Sequence, residues 1–222
     1  VGKVTIAYWK IRGLANPIRL LCEYLELDYD DVKYECGDAP DYDRSCWTGV
    51  KETLGLDFPN LPYLKHGDVN ITQSNAILRY LARLTPKGRS LLRTGTDAGA
   101  VDMFLDLMMD LRNAITRCAY GNYPEGMPQL EKSAEGILGR VETYMAKHGK
   151  PFLLGSEPCL ADFVMAELVN QLEGMRPGCV KDKHAMVWAQ HEAFSAIEAI
   201  ASYKASARYM HTPTNNKTAK YV

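Results

Sequence analysis

The segment Phe58–Tyr80 constrains the fold most, because it joins a strand led by a proline to the start of a helix. Proline cannot donate to a sheet ladder, so Pro62 is expected at the start or edge of a strand. The Leu61–Pro62 bond is a candidate for a cis peptide. In that geometry the amide and carbonyl of Leu61 face outward and can pair with an extended peptide as an added strand.

The second half of this segment predicts a helix start at Gln73 and Ser74, followed by apolar residues at helical spacing: Ile77, Leu78 and Leu81. Backbone amides, a hydroxyl and the positive end of the helix dipole then suit a carboxylate or phosphate. Taken alone, Ser74 is better explained as an ordinary helix cap. Beside an edge strand that can pair with a peptide, this anion-binding helix start predicts a site that holds a small acidic peptide at two points.

Composition limits the class of protein. The chain has 222 residues, enough for one large or two small domains, and a formal net charge of -1. The absence of a dense Lys/Arg run argues against nucleic acid as a partner. No apolar run approaches the roughly 20 residues that span a bilayer, and the chain enters a strand at once. We therefore expect a soluble, unexported, cytoplasmic protein with no membrane partner.

The six cysteines are scattered, without a C-x-x-C motif or a His/Cys pair at metal-ligand spacing. Free thiols in a reducing compartment and no bound metal are expected. Cys22 falls on an apolar helix face and is expected in the core. Cys46, next to Trp47, is expected to be exposed and oxidisable. None of the six is an obvious nucleophile.

The order of elements predicts an α/β domain of four strands, arranged βαβ-ββα. These elements are a strand at Lys3–Tyr8, a helix with Asn16 as cap and Pro17 at its first position, strands near Asp31–Cys36, at Pro62–Lys65 and at Val69–Thr72, and a helix from Ser74 to about Leu84. The polar loop Gly37–Trp47 is long enough to be functional.

Breaker residues at Thr85–Ser90 predict a domain boundary, giving domains at 1–85 and 91–222. The second domain has helical periodicity throughout and is expected to be all-α. Predicted helices include Ala161–Leu172, Ala185–Phe194 and Ile197–Tyr203. The polar tail Thr212–Lys217 either folds over a neighbouring surface or stays loose.

Four segments of the N-terminal half match a known pattern in order: Tyr8–Leu14, Gly37–Trp47, Leu54–Tyr63 and Ile71–Tyr80. Together they resemble the cytosolic glutathione transferases, and the long loop resembles the mu class. The resemblance implies a thioredoxin-like domain joined to an all-helical domain, working as a homodimer. Such enzymes conjugate the thiol of reduced glutathione to hydrophobic electrophiles in detoxification.

The resemblance also implies how glutathione is held. Leu61 pairs with its backbone, and Gln73 and Ser74 hold its γ-glutamyl carboxylate. Trp47 and Lys51 are implied to bind the glycine carboxylate, and Arg44 to help close the loop. Asp110, contributed by the partner subunit, is implied to bind the γ-glutamyl amine. The residues implied to surround the site are Trp9, Leu14, Asn60 and Pro62.

Tyr8 is the implied catalytic residue. A thiol near its ordinary pKa, about 8.5 for cysteine, is mostly protonated at neutral pH, whereas the thiolate is the nucleophile. A phenol donating a hydrogen bond to sulfur favours the anion. Lowering the thiol pKa by one to two units corresponds to about 1.4 to 3 kcal/mol. Without the resemblance, Tyr8 is simply a half-buried strand tyrosine.

The resemblance places an apolar electrophile pocket at Trp9, Leu14, Met109, Arg112, Tyr120 and Tyr209, with Tyr120 assisting addition to epoxides or enones. It makes Phe58 an aromatic key between subunits and Arg79 a residue at the two-fold axis. At the start of a core helix, Cys159 replaces the family's Ser or Thr, and half of a capping box is expected to be lost, costing about 1 kcal/mol.

Three alternatives stay open from the sequence. A non-catalytic relative, ligandin or lens-protein-like, would keep the fold without turnover; the presence of Tyr8 with the glutathione-binding residues argues against it. A thiol-disulfide oxidoreductase is disfavoured because no cysteine lies in the loop after the first strand. An isomerase using glutathione as a true cofactor is compatible with the same residues. The sequence does not identify the physiological electrophile.

Overall fold

The N-terminal half folds around a four-stranded sheet in the computed structural model, which describes residues 2–148 and 151–222. The strands are β1 (Val4–Trp9), β2 (Tyr29–Tyr34), β3 (Tyr63–His66) and β4 (Val69–Thr72), in the order β2-β1-β3-β4. β1 is parallel to β2 and antiparallel to β3, and β3 is antiparallel to β4. This is the predicted thioredoxin-like arrangement.

Helices cover the sheet and build the rest of the chain. They are α1 (Asn16–Tyr24), α2 (Ser45–Thr48), α3 (Ser74–Arg83), α4 (Pro86–Leu91), α5 (Gly95–Arg117), α6 (Met127–His148), α7 (Leu160–Met175), α8 (Ala185–Ser195) and α9 (Glu198–Ala205). The second half is all-helical, as predicted. A π-helical turn, Cys118–Asn122, follows α5.

The core runs continuously from the sheet into the helical half. Ile6 and Leu64 lie opposite each other in the β1–β3 register and are buried, as are Ile18 of α1 and Ile77 of α3. Burying each such side chain contributes about 1.5–3 kcal/mol. α7 is buried on almost every face, as expected for a helix that is apolar all round. It packs against α1, α5 and α8 and thereby holds the two halves together.

The segment Thr85–Ser90, predicted as a domain boundary from its breaker residues, is helical in the structure. It forms α4, in which the Thr85 hydroxyl accepts a hydrogen bond from the Gly88 amide at 2.9 Å and Pro86 occupies the first turn. A threonine cap followed by proline is a helix start. The breaker residues therefore mark the beginning of a helix.

The predicted capping role of Asn16 is wrong. Ala15 is the N-cap of α1. The Asn16 side chain is buried and donates to Oε2 of Glu167 in α7 at 2.6 Å. The side chain that the local pattern assigned to capping thus donates instead to a buried carboxylate from a distant part of the chain. β2 also ends at Tyr34, before the predicted Cys36.

Cys159 keeps the geometry of the capping box, so the expected loss of half the box is wrong. Its sulfur faces the amide of Asp162, and the Asp162 carboxylate accepts from the Cys159 amide at 2.7 Å. Because sulfur is a weak acceptor, the sulfur half of the box remains a weak contact. The Asp162 carboxylate also accepts from the Leu153 amide and the Gln190 side chain.

Candidate active site

Tyr8 lies near the end of β1, at the central strand of the sheet, and is 6% exposed. Its ring packs on the backbone of Gly13, where a Cβ atom would come 2.7 Å from Tyr8 Cε1 and 2.9 Å from its hydroxyl oxygen. Gly13 has a φ of +38°, a value that favours glycine. The loop after β1 is therefore shaped around the phenol.

An aromatic cluster supports the neighbouring loop. The Trp47 ring lies 5.3 Å from that of Tyr34 and stacks on Tyr63 at 6.1 Å, measured between ring centroids. The hydroxyl groups of Tyr34 and Tyr63 are 3.0 Å apart. Trp47 is only 8% exposed, so most of its indole packs beneath the loop. Trp9 is half-buried, edge-on to Tyr34.

The Leu61–Pro62 peptide is cis, as expected. The amide of Leu61 is not free, however, because it donates to the side-chain oxygen of Asn60 at 2.9 Å. The prediction of an unpaired amide is therefore wrong. The expected edge strand is wrong too, because β3 lies between β1 and β4 in the sheet. A peptide that pairs with Leu61 has to displace the Asn60 carboxamide, whose side chain folds back onto the next residue.

Gln73 is the N-cap of α3, with a φ of +74° and no capping bond from its side chain. Ser74 is the first helical residue and is 7% exposed. Capping by Ser74, the better explanation from the local sequence alone, is therefore wrong. Ser74 and Asn75 instead line a narrow cavity between the two halves of the chain.

This cavity brings the predicted carboxylate contact Ser74 together with three of the six predicted electrophile residues, but not with Trp9, Tyr120 or Tyr209. Leu14, Met109 and Arg112 line it along with Ser74. Its remaining walls come from α1, α3, α5 and α7. One cleft between the domains thus joins a polar helix start to an apolar wall carrying a guanidinium group.

Tyr120 lies on the π-helical turn after α5, and its hydroxyl accepts a hydrogen bond from the amide of Asn216 at 2.8 Å. Burial raises the pKa of Tyr120. The tail also reaches the loop after β1, since the carbonyls of Pro213 and Thr214 accept from the amides of Arg12 and Gly13 at 2.9 and 3.1 Å. The tail therefore folds over the site rather than staying loose.

The structure does not bring Tyr209 to this cleft. Its ring is buried, with centroids 5.3 Å from Tyr203 and 4.8 Å from His211, and it is not among the residues lining the cavity. Asn216, which the sequence analysis missed, is the tail residue that meets Tyr120. The contact joins a tyrosine just after the end of α5 to a backbone amide in the tail, 96 residues later. No local sequence pattern predicts such a pair.

The remaining predicted residues lie at the surface of the chain. Lys51 is paired with Glu52 at 3.4 Å, Arg44 is exposed before α2, and Asp110 is exposed on α5. Phe58 is 77% exposed. Arg79 forms an ion pair with Asp102 at 2.8 Å, with a side chain 23% exposed.

A buried polar network, which the sequence analysis also missed, forms part of the cavity wall, since Glu167 and Gln171 line the cavity. Glu167 of α7 accepts from Arg12 at 2.5 Å, from Asn16 at 2.6 Å and from Gln171 at 2.9 Å. The Arg12 and Glu167 side chains are 7% and 2% exposed. Since a buried charge is tolerated only when it is paired and hydrogen-bonded, this network fixes the loop after β1 to the helical domain.

Comparison with known proteins identifies the family. Residues 4–83 match the family described as Glutathione S-transferase, N-terminal domain, and residues 109–207 match Glutathione S-transferase, C-terminal domain. Glutathione S-transferase Mu 3 of Macaca fuscata fuscata is 38% identical over 221 residues, covering 99% of this chain and 96% of the relative. The chain belongs to the glutathione transferase family.

Other relatives of this glutathione transferase agree. Glutathione S-transferase 2 of Gallus gallus is 39% identical over 211 residues, covering 95% of this chain and 93% of the relative. The solved glutathione S-transferase Blo t 8 superposes with a TM-score of 0.86 at 29% identity, covering 97% of this chain and 98% of that one. The predicted fold, the enzyme class and the resemblance to the mu class are thus confirmed, and the non-catalytic alternative is not favoured.

Within the described ranges, no helix is long and apolar enough to cross a membrane. In the same residues, no group of three or more His, Cys, Asp or Glu side chains is arranged to hold a metal ion.

Proposed function

We propose that Tyr8 of this glutathione transferase donates a hydrogen bond to the sulfur of reduced glutathione and so stabilises the thiolate that attacks hydrophobic electrophiles. The observation that supports this role most is the packing of the Tyr8 ring on Gly13, which fixes the phenol at the end of the central strand. A fixed donor needs no reorganisation when charge develops on sulfur.

Glutathione lies, in this proposal, along the Leu61–Pro62 turn that precedes β3 and along the start of α3. Its main chain pairs with Leu61 after Asn60 moves aside, and Gln73 and Ser74 hold its γ-glutamyl carboxylate at the positive end of the α3 dipole. Arg44, Trp47 and Lys51 take its glycine carboxylate; the Trp47 ring stacks on Tyr63, the residue directly after Pro62. Trp9, Leu14 and Pro62 complete the wall.

The electrophile enters the cleft beside the sulfur. Leu14 and Met109 provide apolar surface, and Arg112 places a cation among them. Tyr120 can donate a hydrogen bond to an epoxide or enone oxygen while the Asn216 amide bonds to its hydroxyl oxygen. These contacts favour apolar substrates on which negative charge develops during addition.

The test compares the wild type with Tyr8→Phe, using Tyr24→Phe as a matched control for loss of one hydroxyl. Immobilised glutathione should retain all three proteins. Tyr8→Phe should raise the pKa of the bound thiol, followed by thiolate absorbance, by one to two units and slow conjugation of an aromatic halide about 10- to 100-fold at neutral pH. Unchanged thiol ionisation in Tyr8→Phe would contradict the role of Tyr8; retention without turnover in the wild type would favour a binding protein.

We also propose that the enzyme is a homodimer. Phe58 is a large apolar side chain left 77% exposed, which is unusual unless a partner covers it. Exposed Asp110 is then free to reach the γ-glutamyl amine held in the other subunit, and Arg79 lies near the two-fold axis. Sedimentation should show a dimer that Phe58→Ala weakens, whereas Val32→Ala, at an exposed apolar residue of β2, should not.

A cytoplasmic location and a role in detoxification follow from the same proposal. All six cysteines are free thiols, the state expected in a reducing compartment. Fractionation of cells that make the protein, with the conjugation assay on each fraction, tests the location.

A further inference from the structure

The loop between β2 and α2 is closed at its base and has a cysteine at each end. The Gly37 amide donates to the Asp43 carbonyl at 2.7 Å, and a Cβ atom on Gly37 would come 2.9 Å from the Asp43 amide nitrogen. Cys36 comes directly before this contact and Cys46 shortly after it. The chain therefore returns on itself between the two thiols.

A hydrogen bond limits the distance between these cysteines. The Cys46 thiol donates to the carbonyl oxygen of Glu35 at 3.2 Å. The carbon of that carbonyl is covalently joined to the nitrogen of Cys36 by the peptide bond. Standard backbone dimensions then keep the two Cα atoms within roughly 9 Å. A disulfide needs a Cα separation of about 4.4 to 6.8 Å. At this upper limit, a shift of about 2 Å in the exposed turn brings the Cα atoms into range, and both thiols must turn from their present carbonyl partners toward each other.

The two thiols differ in access. Cys46 is exposed, whereas Cys36 is 3% exposed and its thiol donates to the Tyr42 carbonyl at 3.4 Å. An oxidant from solution thus meets Cys46 first, and Cys36 is the adjacent thiol that can resolve the product. This division between an attacking and a resolving thiol is typical of redox-active pairs.

The other cysteines are less suited to this exchange. Burial raises the pKa of Cys22, Cys118 and Cys159, which lie in the core. Cys179 is partly exposed on the helical half, and burial raises its pKa to about 11. Because the thiolate is the reactive form, these four thiols should react slowly.

We propose that Cys36 and Cys46 are a redox modification site that exchanges with glutathione disulfide. The Cys46 thiolate attacks one sulfur of glutathione disulfide, forming a mixed disulfide and releasing one glutathione thiolate. The Cys36 thiolate then attacks the Cys46 sulfur, forming the Cys36–Cys46 bond and releasing the second glutathione. Overall, the protein loses two electrons and two protons. Glutathione disulfide takes up the two electrons and, with two protons, becomes two molecules of glutathione.

The bond should weaken glutathione binding, and this consequence rests on the proposed function. Cys46 lies in the first turn of α2, directly before Trp47, whose ring is 5.3 Å from Tyr34. Drawing Cys46 toward Cys36 moves the turn that carries Arg44 and Trp47, the proposed contacts of the glycine carboxylate. We expect the KM for glutathione to rise several-fold in the oxidised enzyme, with kcat changing less.

The experiment incubates the full chain with glutathione disulfide, quenches free thiols and measures intact mass and linked peptides. The wild type should lose two hydrogen atoms and yield a Cys36–Cys46 peptide, reversed by dithiothreitol. Cys36→Ser should instead hold one glutathionyl group on Cys46, and Cys46→Ser should show neither product. Cys179→Ser, a matched thiol control, should behave as the wild type.

An unchanged wild-type mass, a stable glutathionyl group on wild-type Cys46, or a disulfide to another cysteine would overturn the proposal. The mass measurement needs no turnover, so it is independent of whether the proposed function holds. If the bond forms but the KM for glutathione does not change, the redox site stands and only its proposed effect on glutathione binding is wrong.

Discussion

Tyr8 and Gly13 are in direct contact: a Cβ atom at Gly13 would come 2.9 Å from the Tyr8 hydroxyl oxygen. Since real Cβ contacts are rarely this short, any side chain here forces the phenol or the loop to move. The same loop is fixed on its other side by Arg12, through Glu167 and the tail carbonyl of Pro213. The position of the proposed thiolate donor is thus set by one glycine and one buried ion pair.

Gly13→Ala should reduce conjugation activity and thiolate formation, because the new methyl group displaces the Tyr8 ring. It should also cost about 1–2 kcal/mol of stability from the positive φ. Gly67→Ala is a matched control, with a φ of +58° and nothing within 4 Å of its Cβ position. Denaturant melts and thiol titrations check both variants. Equal loss of activity in the two would mean that backbone strain, rather than the Tyr8 contact, is responsible.

Glu167→Gln should lower the free energy of unfolding by about 3 kcal/mol, because it leaves the buried Arg12 guanidinium without its counter-charge. Denaturant titration measures this effect. The double variant Arg12→Met/Glu167→Gln should regain much of the loss, since it removes both charges while an amide oxygen at position 167 can still accept from the buried Asn16 side chain. Asp30→Asn is the control: it breaks the exposed pair with Lys3 and should leave the denaturant concentration at the unfolding midpoint nearly unchanged. A Glu167→Gln protein as stable as the wild type would show that the pair does not join the domains.

Cys159→Ser should stabilise the protein by about 0.5–1 kcal/mol, since a hydroxyl oxygen is a stronger acceptor than sulfur for the Asp162 amide at the start of α7. Cys159→Ala, which removes the acceptor altogether, should fall below the wild type. Thermal melts of the three proteins give the order. An alanine variant at least as stable as the serine variant would argue against capping by residue 159.

His191 should make stability depend on pH below about 6.5, its ordinary pKa. Burial and nearby Lys204 lower its pKa in the folded protein. The unfolded chain therefore binds the proton more readily, and the contribution of neutral His191 is complete above pH 6.5 and lost as the pH falls toward the folded pKa. The loss is at most about 1.4 kcal/mol per pH unit.

Unfolding titrations between pH 7.5 and 5 check this expectation, in the range given by linkage. His191→Gln should reduce the slope, whereas His211→Gln, which removes an exposed imidazole, should not. Identical slopes in the wild type and His191→Gln would assign the acid sensitivity to other groups.

The sequence by itself determined the order βαβ-ββα, the helical second half, the start of α3 and the family, because these depend on periodicity and on motifs a few residues long. Local sequence patterns gave wrong or missing predictions where a polar group forms its hydrogen bond with a residue far along the chain. The Asn16 amide reaches Glu167 across 151 residues, and the Asn216 amide reaches Tyr120 across 96. Only the tertiary structure decides such contacts, because a buried polar group bonds to whichever partner folding brings near it.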